Sequence, residues 1–122
     1  REQISGAERD QLAAAVIALL ERPDLRPLFC EGGLPEVAIQ GEYKGTPVSG
    51  QIDRLIISDR QVTAVEFKSS RWVPKTLAAV PAAHRRQAQT YCGLLRSLYP
   101  EKDVRGVLVY TAAPRLFHVV EE

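Results

Sequence analysis

The stretch Gly50-Gln-Ile-Asp-Arg-Leu-Ile-Ile-Ser-Asp-Arg-Gln-Val-Thr-Ala-Val-Glu-Phe-Lys68 holds two runs rich in Val, Ile and Leu, joined by the polar Ser58-Asp59-Arg60-Gln61. Runs of that kind around a polar connection predict two antiparallel strands. A symmetric hairpin centred on the connection sets Asp53 directly opposite Glu66. Strand side chains alternate between faces, so Lys68 shares the face of Glu66. Two carboxylates and an ammonium are therefore expected on one sheet face, in the middle of apolar strands. A slip of one residue would send Asp53 to the other face and dissolve the group.

Facing residues on paired strands have Cβ atoms roughly 4.5–5.5 Å apart. Like charges at that separation repel by about 1 kcal/mol in water, and by several times that near a partly buried surface. A hard divalent cation offsets this most directly, because Mg²⁺ takes oxygen ligands and keeps several waters. The alternative is a structural Glu66–Lys68 pair beside an exposed Asp53. The residues alone leave both open.

Upstream, Glu36 to Tyr43 reads as a strand that turns at Lys44-Gly45 into a second, Val48 to Ile57. That turn would bring Glu36 opposite Asp53, although Gly41, Pro47 and Gly50 invite bulges. Gln61 to Lys68 is the third strand of the meander. Ser5-Gly-Ala-Glu8 is a capping box that starts a helix near Ser5. Its core stripe is Leu12, Ala15, Val16, Leu19 and Leu20; Pro23 closes it, and a Pro-rich connection follows. Downstream, Ser69 to Pro81 is a loop carrying Arg71, Trp72, Pro74 and Lys75, with Trp72 expected in the core or at its rim in preference to stacking on a base. A helix from about Ala82 to Leu98 puts Gln87, Tyr91, Leu94, Leu95 and Leu98 on one side, and strands near Val104–Tyr110 and Leu116–Val119 complete the chain. The predicted fold is α/β: helix, three-strand meander, helix, two strands, a mixed sheet flanked by helices. Residues 1–122 form one domain on this reading, and the opening at Arg1 rather than Met suggests a piece of a longer chain.

The composition, 45% hydrophobic and 25% charged, is that of a soluble globular domain. No apolar run approaches membrane-spanning length and no signal peptide precedes the first helix, so a cytoplasmic location with no membrane partner is expected. Cys30 and Cys92 are isolated, which argues for reduced thiols and against a zinc site or an iron–sulfur cluster. Neither a Gly-x-Ser-x-Gly elbow nor a phosphate-binding Gly-x-x-x-x-Gly-Lys loop is present. The formal net charge is only +1, but no acidic residue lies between Phe67 and Pro100. The same span holds Lys68, Arg71, Lys75, Arg85, Arg86 and Arg96, which fits a phosphate-bearing substrate. A solvated basic helix face would look the same.

Asp53, then Glu66-Phe67-Lys68, then Gln87-Ala-Gln-Thr-Tyr91 resembles the PD-(D/E)XK nuclease superfamily. Within it the chain looks like the RecB-like branch, and it is most similar to the C-terminal nuclease domain of AddA subunits of AddAB-type helicase–nucleases. The resemblance runs from about Glu36 to the C-terminus, including Arg71-Trp-Val-Pro74 and the stretch from Leu98 to Tyr110. It implies a Mg²⁺-dependent deoxyribonuclease (exonuclease) domain, with Mn²⁺ able to substitute, serving double-strand break repair and recombination. Asp53 and Glu66 would hold the cation with the backbone carbonyl of Phe67, and Glu36 matches an upstream acidic position. Lys68 would orient the attacking water, while Gln87 and Tyr91 would steady the site. Arg54, Ser69, Arg71, Lys75 and Arg86 are the expected DNA contacts. The implied partners are DNA, helicase domains of the parent chain that bind ATP, and an AddB-type subunit. The branch usually carries a metal-binding His ahead of the sheet, and no residue from Arg1 to Ala83 is a histidine, so that residue either lies upstream of this piece or has been lost. His84 and His118 come too late to replace it and are expected in surface or packing roles. A catalytically inactive module for DNA binding or subunit docking is therefore the competing reading.

Overall fold

Lys44 and Gly45 both have positive φ, 51° and 80°. That is the geometry of a two-residue hairpin turn whose twist matches the strands it joins. It links β1 (Gly33–Tyr43) to β2 (Thr46–Ile57). The second turn is closed by the Ser58 N–H to the Gln61 carbonyl, 2.8 Å, and leads into β3 (Gln61–Lys68). Lys102 clamps this turn from outside, its Nζ donating to the carbonyls of Ser58 and Asp59 at 2.6 and 2.8 Å. The computed structural model describes residues 6–7, 9–10, 13–14, 17, 21 and 33–119. The capping residues Ser5 and Glu8, all five residues of the expected N-terminal core stripe, the Pro-rich connection and Cys30 lie outside the described residues. Gly6, Ala7, Arg9, Asp10, Ala13, Ala14 and Ile17 are helical and exposed.

After β3 the chain crosses over through a short 3-10 turn, Leu77–Ala79, and helix α1 (Ala82–Leu98) to reach β4 (Asp103–Tyr110) and β5 (Arg115–Val119). The sheet order is β1-β2-β3-β4-β5. Only β3 and β4 are parallel, with Gln61 beside Asp103 and Lys68 beside Tyr110. A parallel pair needs a crossover of this kind, and α1 supplies it. The result is the expected mixed α/β sheet.

Pro81 precedes α1 with the restricted φ that suits a helix start, and Pro100 follows soon after its end. One stripe of α1, Ala88, Tyr91, Cys92, Leu94 and Leu95, is buried. Tyr91, Cys92, Leu94 and Leu95 pack on Ile39, Ile52, Leu55, Val62, Ala64 and Val104, and Ala88 packs with Val80, Leu108, Tyr110 and Val119. The Cys92 thiol is buried and in no disulfide, as expected, and it lies over Gly106, where a Cβ would crowd the sulfur. On the other face of the sheet Val65, Val107 and Val109 form a second buried cluster with Ile56, Phe67 and Leu116.

Two packing expectations are corrected. Trp72 is 57% exposed rather than in the core. Its loop is instead anchored through Pro74, which is buried and whose carbonyl accepts from Arg115 at 3.1 Å. Leu98 is 61% exposed, because the last turn of α1 runs past the core and Tyr99 packs inward in its place.

Candidate active site

Ile52 and Leu55 are three residues apart, yet both pack in the cluster beneath α1. Strict alternation would put them on opposite faces. The pleat of β2 therefore breaks between them, at Asp53 and Arg54. Opposite the break, Glu36 has φ 49°, a left-handed conformation that costs a non-glycine residue about 1–2 kcal/mol. Pairing continues in one register on both sides, Pro35 with Arg54 and Val37 with Ile52. Glu36 thus stands level with Asp53 at the kink, but on exposed backbone whose carbonyl accepts from Gln51 at 3.4 Å.

The kink is also where two strands part. β2 and β3 pair only from Arg54 to Ile57 against Val62 to Val65. Upstream of Arg54, β2 stays with β1, and downstream of Val65, β3 stays with β4. Asp53 and Glu66 sit in the crotch of this fork. The Asp53 carboxylate accepts from the Phe67 N–H at 2.9 Å, and the Asp53 N–H faces Glu66 Oε1 at 3.4 Å. The two carboxyl groups take over bonds that a continuing ladder would have made between backbones, and this draws them together.

Glu66 is 3% exposed. Burial above all, then a hydrogen bond to the Asp53 carboxylate and its charge, push the Glu66 carboxyl up to about 9. The Asp53 backbone and the charge of Lys68 act in the opposite direction. At neutral pH Glu66 therefore carries a proton, and that proton offsets the repulsion between the two carboxyl groups. A pair of oxygen donors whose mutual charge must be neutralised is the donor set that a hard cation prefers, so these residues fit Mg²⁺ or Mn²⁺. Among the described residues no group of three or more His, Cys, Asp or Glu side chains gathers as a metal cluster.

Lys68 is held from the helix. Its Nζ donates to Gln87 Oε1 at 2.7 Å. One turn further along α1, the Tyr91 hydroxyl faces the Gln87 side chain and the backbone of Gln51; burial raises its pKa and those contacts moderate the rise. Gly50 makes this possible, because a Cβ there would overlap the Tyr91 hydroxyl. The carbonyl of Lys68 accepts from the N–H of Thr111, the residue that follows β4, at 3.0 Å.

The structure thus gathers Asp53, Glu66, Lys68, Gln87 and Tyr91 at one place, with Glu36 at the rim. The expected DNA contacts are not all brought there. Ser69, Arg71 and Lys75 are exposed in the loop leaving β3, and Arg86 is exposed on α1. Arg54 pairs with Val65, whose cluster lies on the face away from α1, and its guanidinium lies against Gly33. Sequence reasoning missed two neighbours, His84 and Tyr110, whose Nδ1 and hydroxyl are 2.8 Å apart. The available signal was the placing of His84 one turn ahead of Gln87. His118 is exposed, as expected.

Comparison with known proteins bears on the family and the fold. The family model described as the PD-(D/E)XK nuclease superfamily matches residues 1–120. No curated protein sequence matches the chain. Among solved structures the chain is similar in fold to the crystal structure of SSO0001, with a TM-score of 0.50 and 20% sequence identity. That alignment covers 93% of this chain and 50% of the other, so the chain spans about half the length of that structure. No described helix is long and apolar enough to cross a membrane.

Proposed function

Because the chain belongs to the PD-(D/E)XK nuclease superfamily, we propose that it is the nuclease domain of a Mg²⁺-dependent deoxyribonuclease hydrolysing phosphodiester bonds. The observation that carries the reading is the fork, in which Asp53 and Glu66 face each other and Lys68 is aimed by Gln87. Asp53, Glu66 and the Phe67 carbonyl would hold Mg²⁺ or Mn²⁺. When bound, the cation would polarise the scissile phosphate and lower the pKa of the attacking water. Lys68 would orient that water and balance charge on the phosphorane, while Gln87 and Tyr91 fix the ammonium in place. Arg71, Lys75 and Arg86, exposed in a stretch without acidic residues, would contact the DNA backbone.

The finer resemblance, to the RecB-like branch and to AddA nuclease domains, leads us to place the domain in a helicase–nuclease acting in double-strand break repair and recombination. Helicase domains and an AddB-type subunit are its partners on this view. The test is Mg²⁺-dependent DNA cleavage by the parent protein and by its Lys68→Ala and Asp53→Ala variants. Both substitutions are expected to lower cleavage by at least about a hundredfold. Undiminished cleavage by Lys68→Ala would refute the assignment.

One observation favours a second reading, a module that binds DNA or a subunit without cutting. The stretch between Phe67 and Pro100 carries Lys68, Arg71, Lys75, Arg85, Arg86 and Arg96 and no acidic residue, which suits binding of a phosphate backbone whether or not it is cut. That reading requires salt-sensitive DNA binding by the parent protein in Mg²⁺ without cleavage at this site.

A further inference from the structure

His84 and Gln87 are one turn apart on α1, and their side chains meet residues that are themselves neighbours on adjacent strands. Gln87 receives Lys68 of β3, and His84 meets Tyr110 of β4, which lies beside Lys68 in the parallel ladder. Two polar rungs therefore cross the helix–sheet interface side by side at the site end of the sheet.

The Tyr110 rung fixes a proton. Tyr110 is fully buried, with Phe117 edge-on to its ring at 5.9 Å. Among the described residues its hydroxyl has one hydrogen-bonding partner, His84 Nδ1 at 2.8 Å. A buried hydroxyl proton that is given to no acceptor is costly. The Tyr110 hydroxyl therefore donates to Nδ1, which must carry a lone pair. The imidazole proton is then on Nε2. Burial, and secondarily the positive charge of Lys68, lower the His84 pKa and favour the neutral ring.

His84 is only half-buried, and Nε2 has no hydrogen-bond partner among the described residues. It is not among the enclosed polar atoms that lack a partner, so it opens to solvent. A buried tyrosine thus holds a ring at the edge of the site with one N–H directed outward, close enough to Lys68 to feel its charge.

We propose that His84 contacts substrate, donating its Nε2–H to a non-bridging phosphate oxygen beside the one met by Lys68, and that Tyr110 is the positioning residue that fixes the required tautomer. This rests on the nuclease reading and adds a phosphate contact to it. A neutral donor suits the place, since a second cation beside Lys68 would be repelled and a neutral acceptor would repel phosphate. Hydrogen bonds to charged groups contribute about 1.5–3 kcal/mol, which corresponds to roughly tenfold or more in affinity.

The test measures binding of a short DNA oligonucleotide, with Ca²⁺ replacing Mg²⁺ so that no strand is cut. His84→Ala is expected to raise Kd about tenfold, and His84→Gln, which carries an N–H near the Nε2 position, to recover most of that loss. Should His84→Ala fail to fold, His84→Leu keeps the bulk and carries the same expectation. Recovery by His84→Gln is the readout that a purely structural role would not supply, and nitrogen-15 spectra of the histidines test the tautomer directly. The wild-type ring is expected as the Nε2–H tautomer, and Tyr110→Phe is expected to mix the two tautomers and weaken binding.

Unchanged binding by His84→Ala, or an Nδ1–H ring in the wild type, would overturn the proposal alone. Failure of the wild-type parent protein to bind the oligonucleotide at all would overturn it together with the nuclease reading.

Discussion

Replacing Glu66 by Gln should make the metal-free protein more stable at neutral pH, although it destroys the site. The folded-state pKa of Glu66 is raised from 4.5 to about 9. Between those values the native state holds a proton that the unfolded state has released. Its contribution to stability is fully present below the unfolded pKa and is lost as pH rises toward the folded one. The slope is about 1.4 kcal/mol per pH unit. Between roughly pH 5.5 and 7.5 the loss approaches 3 kcal/mol, a large share of the 5–15 kcal/mol typical of a domain. Glutamine imitates the protonated carboxyl, with a donor for Asp53 and an oxygen for the Asp53 N–H, and it has no proton to lose. Urea unfolding in EDTA across that range should find wild type and Glu66→Gln equally stable near pH 4.5. Above that pH the variant should pull ahead by up to about 1.4 kcal/mol per unit. Adding Mg²⁺ should stabilise the wild type and leave the variant unmoved. Stability curves that run parallel across the range would refute the argument, since the proton on Glu66 would then not be what balances Asp53.

Gln87→Ala removes the acceptor of Lys68 Nζ; cleavage by the parent protein should fall roughly ten- to a hundredfold, with KM little changed because the ammonium loses aim and not charge. Gly50→Ala places a methyl group against the Tyr91 hydroxyl and should cost about 1–3 kcal/mol in urea unfolding, part of it recovered in the Gly50→Ala/Tyr91→Phe double variant. Gly93→Ala tests opposing terms. Helix propensity favours alanine by about 1 kcal/mol, but its Cβ would meet the Tyr43 ring, and net destabilisation is expected.

The elements written in local pattern were legible from the chain. Lys44-Gly45 and Ser58–Gln61 each fix a turn, and the turns fix the register that levels Glu36, Asp53 and Glu66. Pro81 and Pro100 bracket α1, so its bounds came directly. What was hidden depends on residues far apart in sequence. The break in the β2 pleat arises where β3 leaves β2 for β4, and no property of Ile52-Asp-Arg-Leu55 announces it. Trp72 looked like a core residue by type alone, whereas Pro74 is the one held by Arg115. His84 looked incidental because its partner is 26 residues away, on a strand that becomes a neighbour only once the crossover closes.

The parallel pairing of β3 with β4 also implies an order of assembly. Asp53 and Glu66 are 13 residues apart and meet as soon as one hairpin closes. Lys68 and Tyr110 become neighbours only after the whole crossover has docked. Short loops close at less entropic cost than long ones. The two carboxyl groups therefore confront each other early, before Gln87 arrives to hold Lys68. Their repulsion belongs to the folding barrier as well as to the finished site, and a proton or a divalent cation should act as a folding accelerant, steepening refolding rates in stopped flow more than it slows unfolding.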